Sequence, residues 1–323
     1  MRNAARAVVG LAIVYSTAAA VSAQKPRHAH VAPARSCGTV LEFQVLLDRA
    51  GFSPGEIDGR SGANVQRALG AFQNVRGLPE TKEPDCSTWK ALQDESSDPA
   101  IQTYELSADD VKGPFSDAIP PRLDEQGSLP ALEYRSPLER IAERFHAAPA
   151  LLRRLNAGSR FGAGDKLRVP NVKPFDPVTK PSHDSQASDV SLVVSRDESA
   201  LRAEKSDGTL VFFAPVSSGS AHDPLPPGDW KVASVSWRPV FHYNPDLFWD
   251  AREDSQAVKI SAGPNNPVGV VWIGINLEHY GLHGTPEPSR VGQAQSHGCV
   301  RLTNWDAARV ASLVKPGTQV VFR

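Results

Sequence analysis

At residue 189 the hydrophobic pattern of the chain changes from helical spacing to short runs rich in Val, Ile, Phe and Trp. Gly and Pro separate these runs, which is typical of β-strands joined by tight turns. The expected strands are residues 191–195, 209–216, 230–235, 270–275 and 319–322. One helix is expected between the last two, because Thr303 and Asp306 form a capping-box-like start. Residues 189–323 are therefore predicted to form a mainly-β domain.

Upstream of this domain the pattern indicates two smaller helical units. Residues 37–95 contain two segments with the hydrophobic spacing of a helix and a third, shorter one, which predicts a small helical bundle. Residues 132–172 contain two short amphipathic helices followed by a strand at 166–170. The 27 prolines gather between periodic segments, so residues 96–131 and 173–188 are predicted as linkers. A chain of 323 residues is long enough for such a multidomain α+β architecture.

The first residues resemble a secretory signal. Arg2 and Arg6 precede an uncharged apolar stretch at 7–20, and small residues at 21–23 offer a cleavage site. The alternative is a membrane anchor, but the uncharged run is shorter than the roughly 20 residues that span a bilayer. We therefore expect residues 1–23 to be removed and the protein to work outside the cytoplasm. The net charge of −1 gives no basis for a nucleic-acid partner.

Three cysteines are present, and their positions divide them into a pair and a single residue. Cys37 and Cys86 flank the predicted helical bundle, so they are candidates for a disulfide that staples a small domain. The alternative is two buried free thiols. Cys299 is left over, and an odd cysteine in an exported chain indicates a free, reactive thiol.

The surroundings of Cys299 indicate catalysis. It lies in the run Ser296 to Arg301, and a second His-Gly pair begins at His283. A thiol becomes a nucleophile when a base removes its proton, and Gly298 allows a sharp turn that presents the side chain. A zinc site lacks the usual paired Cys or His spacing. An inert buried cysteine is the other alternative, but the polar neighbours do not build an apolar pocket.

These motifs resemble the catalytic domain of L,D-transpeptidases, a family that joins peptidoglycan stem peptides or exchanges their terminal D-amino acid. The resemblance covers residues 189–323 and rests on the order and spacing of two His-Gly motifs. The matching segments are Asn266 to Gly269, Trp272-Ile273, Tyr280 to Thr285, Gly292 and Ser296 to Leu302.

The resemblance implies a β-sandwich-like fold and a set of catalytic roles. Cys299 would be the nucleophile and His283 its base, held by the backbone carbonyl of Gly284 and forming a thiolate–imidazolium pair. His297 is the alternative base, although its place beside the nucleophile turn favours a role in shaping the pocket. Backbone N–H groups at Gly298 and Cys299 are candidates for stabilising the oxyanion. No metal, nucleotide or organic cofactor is required.

Three further residues are predicted to bind substrate. The guanidinium of Arg301 suits a stem-peptide carboxylate, and a salt bridge that holds the loop is the alternative. Tyr280 is expected to line the donor cleft. Ser296 either contacts substrate, holds the loop or is an ordinary turn serine. The aromatic segment 241–249 is a candidate lid over the cleft.

The two upstream units also resemble known wall-binding families. The bundle at 37–95 is similar to a helical peptidoglycan-binding domain, and the matching segments are Leu46-Leu47, Gly51-Phe52, Ile57 to Gly59, Ala68-Leu69, Phe72-Gln73 and Gly77-Leu78. Residues 132–172 resemble a lysin-motif domain through Ile141-Ala142, Leu155-Asn156, Gly164-Asp165 and Val169-Pro170, but Arg135 to Pro137 replace its early Gly-Asp-Thr segment. Peptidoglycan stem peptides and glycan strands are the expected partners.

The sequence thus predicts an exported, periplasmic and wall-associated cysteine L,D-transpeptidase that serves cell-wall biogenesis and cell shape. The alternatives are an L,D-carboxypeptidase or hydrolase acting on the same stem peptides, and a catalytically silent wall-binding protein. The acyl acceptor is left open among a second stem peptide, a wall-linked lipoprotein, a D-amino acid and water. A monomer is the default expectation.

Overall fold

The structure is a computed structural model that describes Met1 and residues 37–187, 189–293 and 296–323. The predicted signal segment, residues 1–23, lies outside the described residues except for Met1. Among the helices of the described part, none has the length and apolar character needed to cross a membrane.

Residues 37–95, the helical region, form a three-helix bundle, as predicted. The helices are α1 (Val40–Arg49), α2 (Ala63–Val75) and α3 (Cys86–Glu95). Thr39 begins α1 with a capping box, in which its side chain accepts from the backbone of Glu42 and Glu42 bonds back. A disulfide between Cys37 and Cys86 ties the start of the bundle to α3.

Residues 96–188, the middle region, are built around a two-stranded antiparallel sheet. Its elements are β1 (Ile101–Glu105), α4 (Ala108–Val111), α5 (Leu123–Gln126), α6 (Pro137–Arg144), α7 (Pro149–Leu155) and β2 (Lys166–Pro170). β1 pairs with β2 from Ile101 opposite Pro170 to Glu105 opposite Lys166. Helices α6 and α7 pack on this pair, and their positions follow the predicted periodicity. Ser136 caps α6, with Pro137 in its first turn.

The segments predicted as linkers are structured. Residues 96–131 contain β1, α4 and α5, and Leu106 is 2% exposed. The buried Asp110 accepts from the hydroxyl of Tyr104 and the backbone of Ser107, which closes this segment onto itself. In the second linker, Phe175 belongs to the buried core of the following β-domain. Residues 96–131 were predicted as a partly ordered linker, and the capped helix α4 and the buried side chains give this segment its order, while Phe175 anchors the second segment.

Residues 189–323, the β region, are mainly β as predicted. Its elements are β3 (Ser191–Ser195), β4 (Ala200–Glu204), β5 (Leu210–Pro215), β6 (Ser217–Ser218), β7 (Gly228–Trp237), β8 (Phe241–Tyr243), β9 (Val258–Ile260), β10 (Val271–Ile275), β11 (Gly281–His283), β12 (Val300–Arg301), α8 (Asn304–Leu313) and β13 (Gln319–Phe322). As expected, Thr303 caps α8 by accepting from the backbone of Asp306. β8 and β9 pair as a separate hairpin.

The other strands of this region form one barrel-like sheet in place of the β-sandwich-like arrangement. Its order is β5-β4-β3-β13-β7-β10-β11-β12-β6. The long strand β7 joins what would otherwise be two sheets, because its first half pairs with β13 and its second half with β10. α8 packs against the inner face, where its apolar residues complete the core.

Buried contacts join the three regions. Phe213 of β5 lies in one apolar cluster with α1 and α2, and its backbone carbonyl accepts from Ser53 at 2.8 Å. The hydroxyl of Ser53 donates to the Asp306 carboxyl of α8 at 2.9 Å. His146 of the middle region stacks on Trp305, with ring centroids 5.1 Å apart. The helical and middle regions are therefore packed onto the β region through buried groups.

Candidate active site

Two short parallel strands, β11 and β12, bring residues of both His-Gly motifs next to each other in the sheet. β11 pairs with β12, with Leu282 opposite Val300 and His283 opposite Arg301. Leu282 and Val300 are fully buried in the core. Because side chains alternate along a strand, His283 and Arg301 point to the opposite face, and Cys299, two residues before Arg301, lies on that same side.

The turn that presents Cys299 requires glycine. Gly298 has φ of +92°, a left-handed conformation that side chains disfavour. A Cβ added there would lie 2.8 Å from the ring of Tyr280, so the aromatic ring closes directly on the turn. Tyr280, predicted to line the donor cleft, is partly buried and packs on the backbone that precedes the thiol.

Ser296 holds this turn. It is 3% exposed, and its hydroxyl donates to the carbonyl of Cys299 at 2.5 Å while accepting from the backbone of Gly219 at 2.7 Å. Both partners are backbone groups that its hydroxyl can satisfy together. Burial and these two bonds favour the loop-holding alternative for Ser296, and substrate binding by this residue stays a prediction.

His283 is fixed in one tautomer by its neighbour. It is 4% exposed, and its Nδ1 lies 2.6 Å from the carbonyl oxygen of Gly284. A carbonyl can only accept, so Nδ1 carries the proton and Nε2 is left as an acceptor. Trp272 stacks on the imidazole at 5.6 Å between ring centroids. Burial and, to a smaller extent, the positive charge of Arg301 together lower the pKa of His283 to about 3, against the effect of Gly284.

The thiol of Cys299 is also held in its neutral form. Burial raises its pKa to about 11, although the backbone of Gly281 and the charge of Arg301 oppose this. Its Sγ lies 3.6 Å from the carbonyl oxygen of His279. Desolvation favours the uncharged form of both an acid and a base. Both pKa shifts favour a neutral thiol and a neutral imidazole in the free protein over the expected thiolate–imidazolium pair.

Arg301 supplies the positive charge of the site. Its own pKa is lowered by burial, against the attraction of Cys299 and of Glu287. It lines a narrow pocket together with Ser217, Thr285 and Arg290. The guanidinium favours negative charge at the neighbouring sulfur, whichever of its two predicted roles it also fills.

The imidazole of His297 contacts the loop that contains residues 248–250. Its Nε2 lies 2.8 Å from the carboxylate of Asp250, and its ring contacts Phe248 and Trp249 at 5.0 and 5.9 Å between centroids. With Nε2 engaged by a carboxylate, His297 is placed to shape the pocket entrance. Sequence reasoning missed Asp250, and its place beside two aromatic residues was the available signal.

The segment that His297 contacts is called the flap and consists of β8, β9 and the connecting residues 244–257. Leu247 and Trp249 at its tip are 48% and 56% exposed. Trp249 also stacks on His222, with centroids 4.8 Å apart. At its base the flap packs against the middle region, where Leu132 joins the apolar cluster of Tyr243 and Ile260.

Two segments of the chain are similar to known protein families. Residues 189–322 match the family described as "L,D-transpeptidase catalytic domain", and residues 38–92 match "Putative peptidoglycan binding domain". The chain is 28% identical over 186 residues to "Putative L,D-transpeptidase YkuD" of Bacillus licheniformis, covering 57% of this chain and 91% of the relative. The Bacillus subtilis protein of the same name is 26% identical over 187 residues, or 57% and 92% of the two chains.

A solved structure, "L,D-transpeptidase from Mycobacterium smegmatis", is 17% identical with a TM-score of 0.35, covering 50% of this chain and 74% of that one. Residues 189–322 are thus similar to the catalytic domain of L,D-transpeptidases, and residues 38–92 are similar to a peptidoglycan-binding domain.

Proposed function

We propose that this protein is an exported cysteine L,D-transpeptidase that forms an acyl-enzyme at Cys299 and passes the acyl group to an amine. One observation carries the proposal: His283 lies opposite Arg301 on the strand that directly follows Cys299, and the Gly284 carbonyl leaves Nε2 of the imidazole free to accept a proton. The donor is a tetrapeptide stem that ends in diaminopimelate and D-alanine.

The first half-reaction follows from the neutral resting pair. As Sγ of Cys299 attacks the carbonyl between the L-centre of diaminopimelate and D-alanine, Nε2 of His283 takes the thiol proton. The thiolate therefore develops during attack, in contact with substrate. This supports a protected thiol in the free enzyme, since the neutral form is the less nucleophilic one.

Two sets of protein groups can stabilise the negative charge that develops in this step. The guanidinium of Arg301 stabilises negative charge on sulfur, and the backbone N–H groups at Gly298 and Cys299 are available to the carbonyl oxygen. The nitrogen of D-alanine then leaves with the proton from His283, and a thioester remains on Cys299. Each atom and proton is thereby accounted for.

The second half-reaction uses the same groups in reverse. An amine of a second stem peptide attacks the thioester, His283 accepts its proton, and the thiol of Cys299 is regenerated. The product is a bond between two diaminopimelates. A wall-linked lipoprotein, a D-amino acid or water could take the place of that amine, and water would make the enzyme a carboxypeptidase.

The upstream regions are proposed to hold the enzyme on its substrate. The peptidoglycan-binding domain at residues 38–92 supports binding to the wall. The middle region, with α6 and α7 packed on a pair of strands, is proposed as a lysin-motif-like glycan-binding unit. A disulfide between Cys37 and Cys86 fits an oxidising compartment outside the cytoplasm, in agreement with the proposed export.

The test is incubation of the mature protein with purified tetrapeptide muropeptide, followed by mass spectrometry. A cross-linked dimer that has lost one D-alanine is expected, and Cys299→Ala and His283→Ala should abolish it. His183→Ala is the matched control, because His183 is exposed on the loop before the β region.

The products separate the alternatives. Tripeptide alone would replace transpeptidation with carboxypeptidase activity. Unchanged substrate, with a thiol that still reacts with iodoacetamide, would point to a wall-binding protein and overturn the proposal. Dimer formation by Cys299→Ala would refute the acyl-enzyme mechanism.

A further inference from the structure

Asn304, the first residue of α8, packs directly beneath the backbone that holds the catalytic histidine. It is 1% exposed, and its Oδ1 accepts from the backbone of Val270 at 3.1 Å. A Cβ added to Gly284 or Gly269 would lie 2.1 or 2.0 Å from that oxygen. The side-chain amide of Asn304 therefore rests on the Gly284 peptide, whose carbonyl fixes the tautomer of His283.

The other end of this amide is held from outside the catalytic domain. Nδ2 of Asn304 donates to Oε1 of Glu143 at 2.5 Å and to the carbonyl of Pro264 at 3.1 Å. Glu143 belongs to α6 of the middle region, 161 residues earlier in the chain. Both hydrogens of the Asn304 amide are thus satisfied. Removal of Glu143 would leave a buried donor without its partner, which the amide would move to satisfy.

We propose that Glu143 is a positioning residue for His283, acting through Asn304 and the Gly284 peptide, so that the middle region completes the catalytic site. The kinetic part of this inference rests on the proposed transpeptidase activity. The structural part, the orientation of the imidazole, does not.

The environment of Glu143 gives the contact a dependence on pH. Burial raises its pKa to about 8, and the negative charges of Glu139 and Glu56 add to this against hydrogen bonds from Asn304 and Tyr134. The pKa of Glu56 is itself raised to about 7, by burial and by the charge of Asp58. Glu143 is therefore largely protonated at neutral pH and becomes a carboxylate above about pH 8. A carboxylate is the stronger acceptor for an amide N–H.

Three variants test the inference. Glu143→Leu removes the acceptor, Glu143→Gln keeps an acceptor oxygen but does not ionise, and Glu139→Leu is the matched control. Glu139 lies one turn earlier on α6 and also reaches the β region, where Asn265 donates to it at 3.2 Å, but its contacts do not include Asn304. Loss of docking alone would affect the two leucine variants alike.

The kinetic readout is kcat and KM for muropeptide cross-linking. For Glu143→Leu we expect kcat to fall about tenfold with KM within about twofold, since a misplaced base affects the chemical step. Glu143→Gln should restore most of kcat at pH 7, and Glu139→Leu should match the wild type. The ratio of wild-type to Glu143→Gln activity should rise as pH increases through 8.

The second readout needs no substrate, so it remains informative if the enzyme proves to have another activity. In ¹⁵N-histidine NMR, Glu143→Leu should shift the Nδ1 resonance of His283, and Glu139→Leu should leave it in place. An unshifted resonance with unchanged kcat would overturn the inference, as would equal losses in both leucine variants. If Glu143→Leu does not unfold cooperatively, the ratio of wild-type to Glu143→Gln activity becomes the deciding measurement. A ratio that stays constant between pH 6 and 9 would contradict the inference.

Discussion

Replacement of Asp306 by Asn should stabilise the protein at alkaline pH far more than at acidic pH. Asp306 is 2% exposed at the junction between α8 and the helical region, where it accepts from the hydroxyl of Ser53. Burial raises its pKa to about 7, and the negative charge of Asp48 contributes, against Thr303, His146 and Ser53. Asparagine keeps the shape and an acceptor oxygen but carries no charge.

The sign and size follow from proton linkage. Between the ordinary pKa of 3.8 and about 7, the folded state keeps a proton on Asp306 that the unfolded state has lost. Stability therefore falls as pH rises, by up to about 4 kcal/mol when both states are ionised. Roughly 2 kcal/mol of this is already lost at pH 5, which leaves about 2–3 kcal/mol between pH 5 and pH 8.

The assay is equilibrium urea unfolding of the wild type and Asp306→Asn at several pH values, followed by tryptophan fluorescence. The difference between the two free energies of unfolding should move in favour of the variant by that amount from pH 5 to pH 8. Comparison at each pH cancels the titration of groups that both proteins share and that do not interact with Asp306.

Asp110→Asn is the matched control. Asp110 is 4% exposed, but bonds from Tyr104 and Ser107 and the charge of Arg144 outweigh burial and hold its pKa below 3.8. Its stabilising contribution is complete above the unfolded pKa and is lost only at lower pH. Asp110→Asn should thus be destabilising by the same amount at pH 5 and pH 8. If Asp306→Asn showed this same flat profile, the desolvation argument would be refuted.

Three further outcomes are expected. Arg301→Gln should slow alkylation of Cys299 by iodoacetamide at pH 8, about tenfold for each unit by which the thiol pKa rises, because the arginine charge lowers that pKa; an unchanged rate would remove Arg301 from the electrostatics of the site. Asp250→Asn should accelerate amide hydrogen exchange across residues 244–257 about two- to fivefold, which corresponds to the loss of one half-exposed ion pair. Exchange rates equal to those of the wild type would show that other contacts hold the flap. Cys86→Ala should cost about 3–4 kcal/mol in urea unfolding of the helical region, since its disulfide closes a 49-residue separation, and a smaller loss would indicate residual structure in the unfolded chain.

Local patterns predicted the elements that depend on local sequence. Ser191–Ser195 and Gln319–Phe322 were placed to the residue, because each is a compact apolar run bounded by turn-forming residues. β1 was missed. Its sequence, Ile101–Glu105, is short and half polar, and its partner β2 begins 61 residues later. A strand that depends on so distant a partner leaves little trace in its own composition.

The candidate site shows the same division. The motifs predicted the turn at Gly298, which the structure contains, because turn chemistry depends on local sequence. They also predicted that Cys299 pairs with His283, and this stays a prediction. The protonation of that pair was not predictable, because polar sequence neighbours had suggested an open, charged environment. Packing across strands desolvates both side chains, and that packing depends on the whole fold. Asp250 and Glu143 reach the site from remote segments for the same reason.

The contact of Phe213 with the helical region has a practical consequence for anyone who wishes to study the transpeptidase domain in isolation. Phe213 and Ala200 belong to the β region, yet their apolar surface is covered by α1 and α2. A protein trimmed to residues 189–323 would expose that patch and would also remove Glu143 from Asn304 and Ser53 from Asp306. The boundary at which the family match begins divides one hydrophobic core, so a soluble, fully active fragment should start before Cys37.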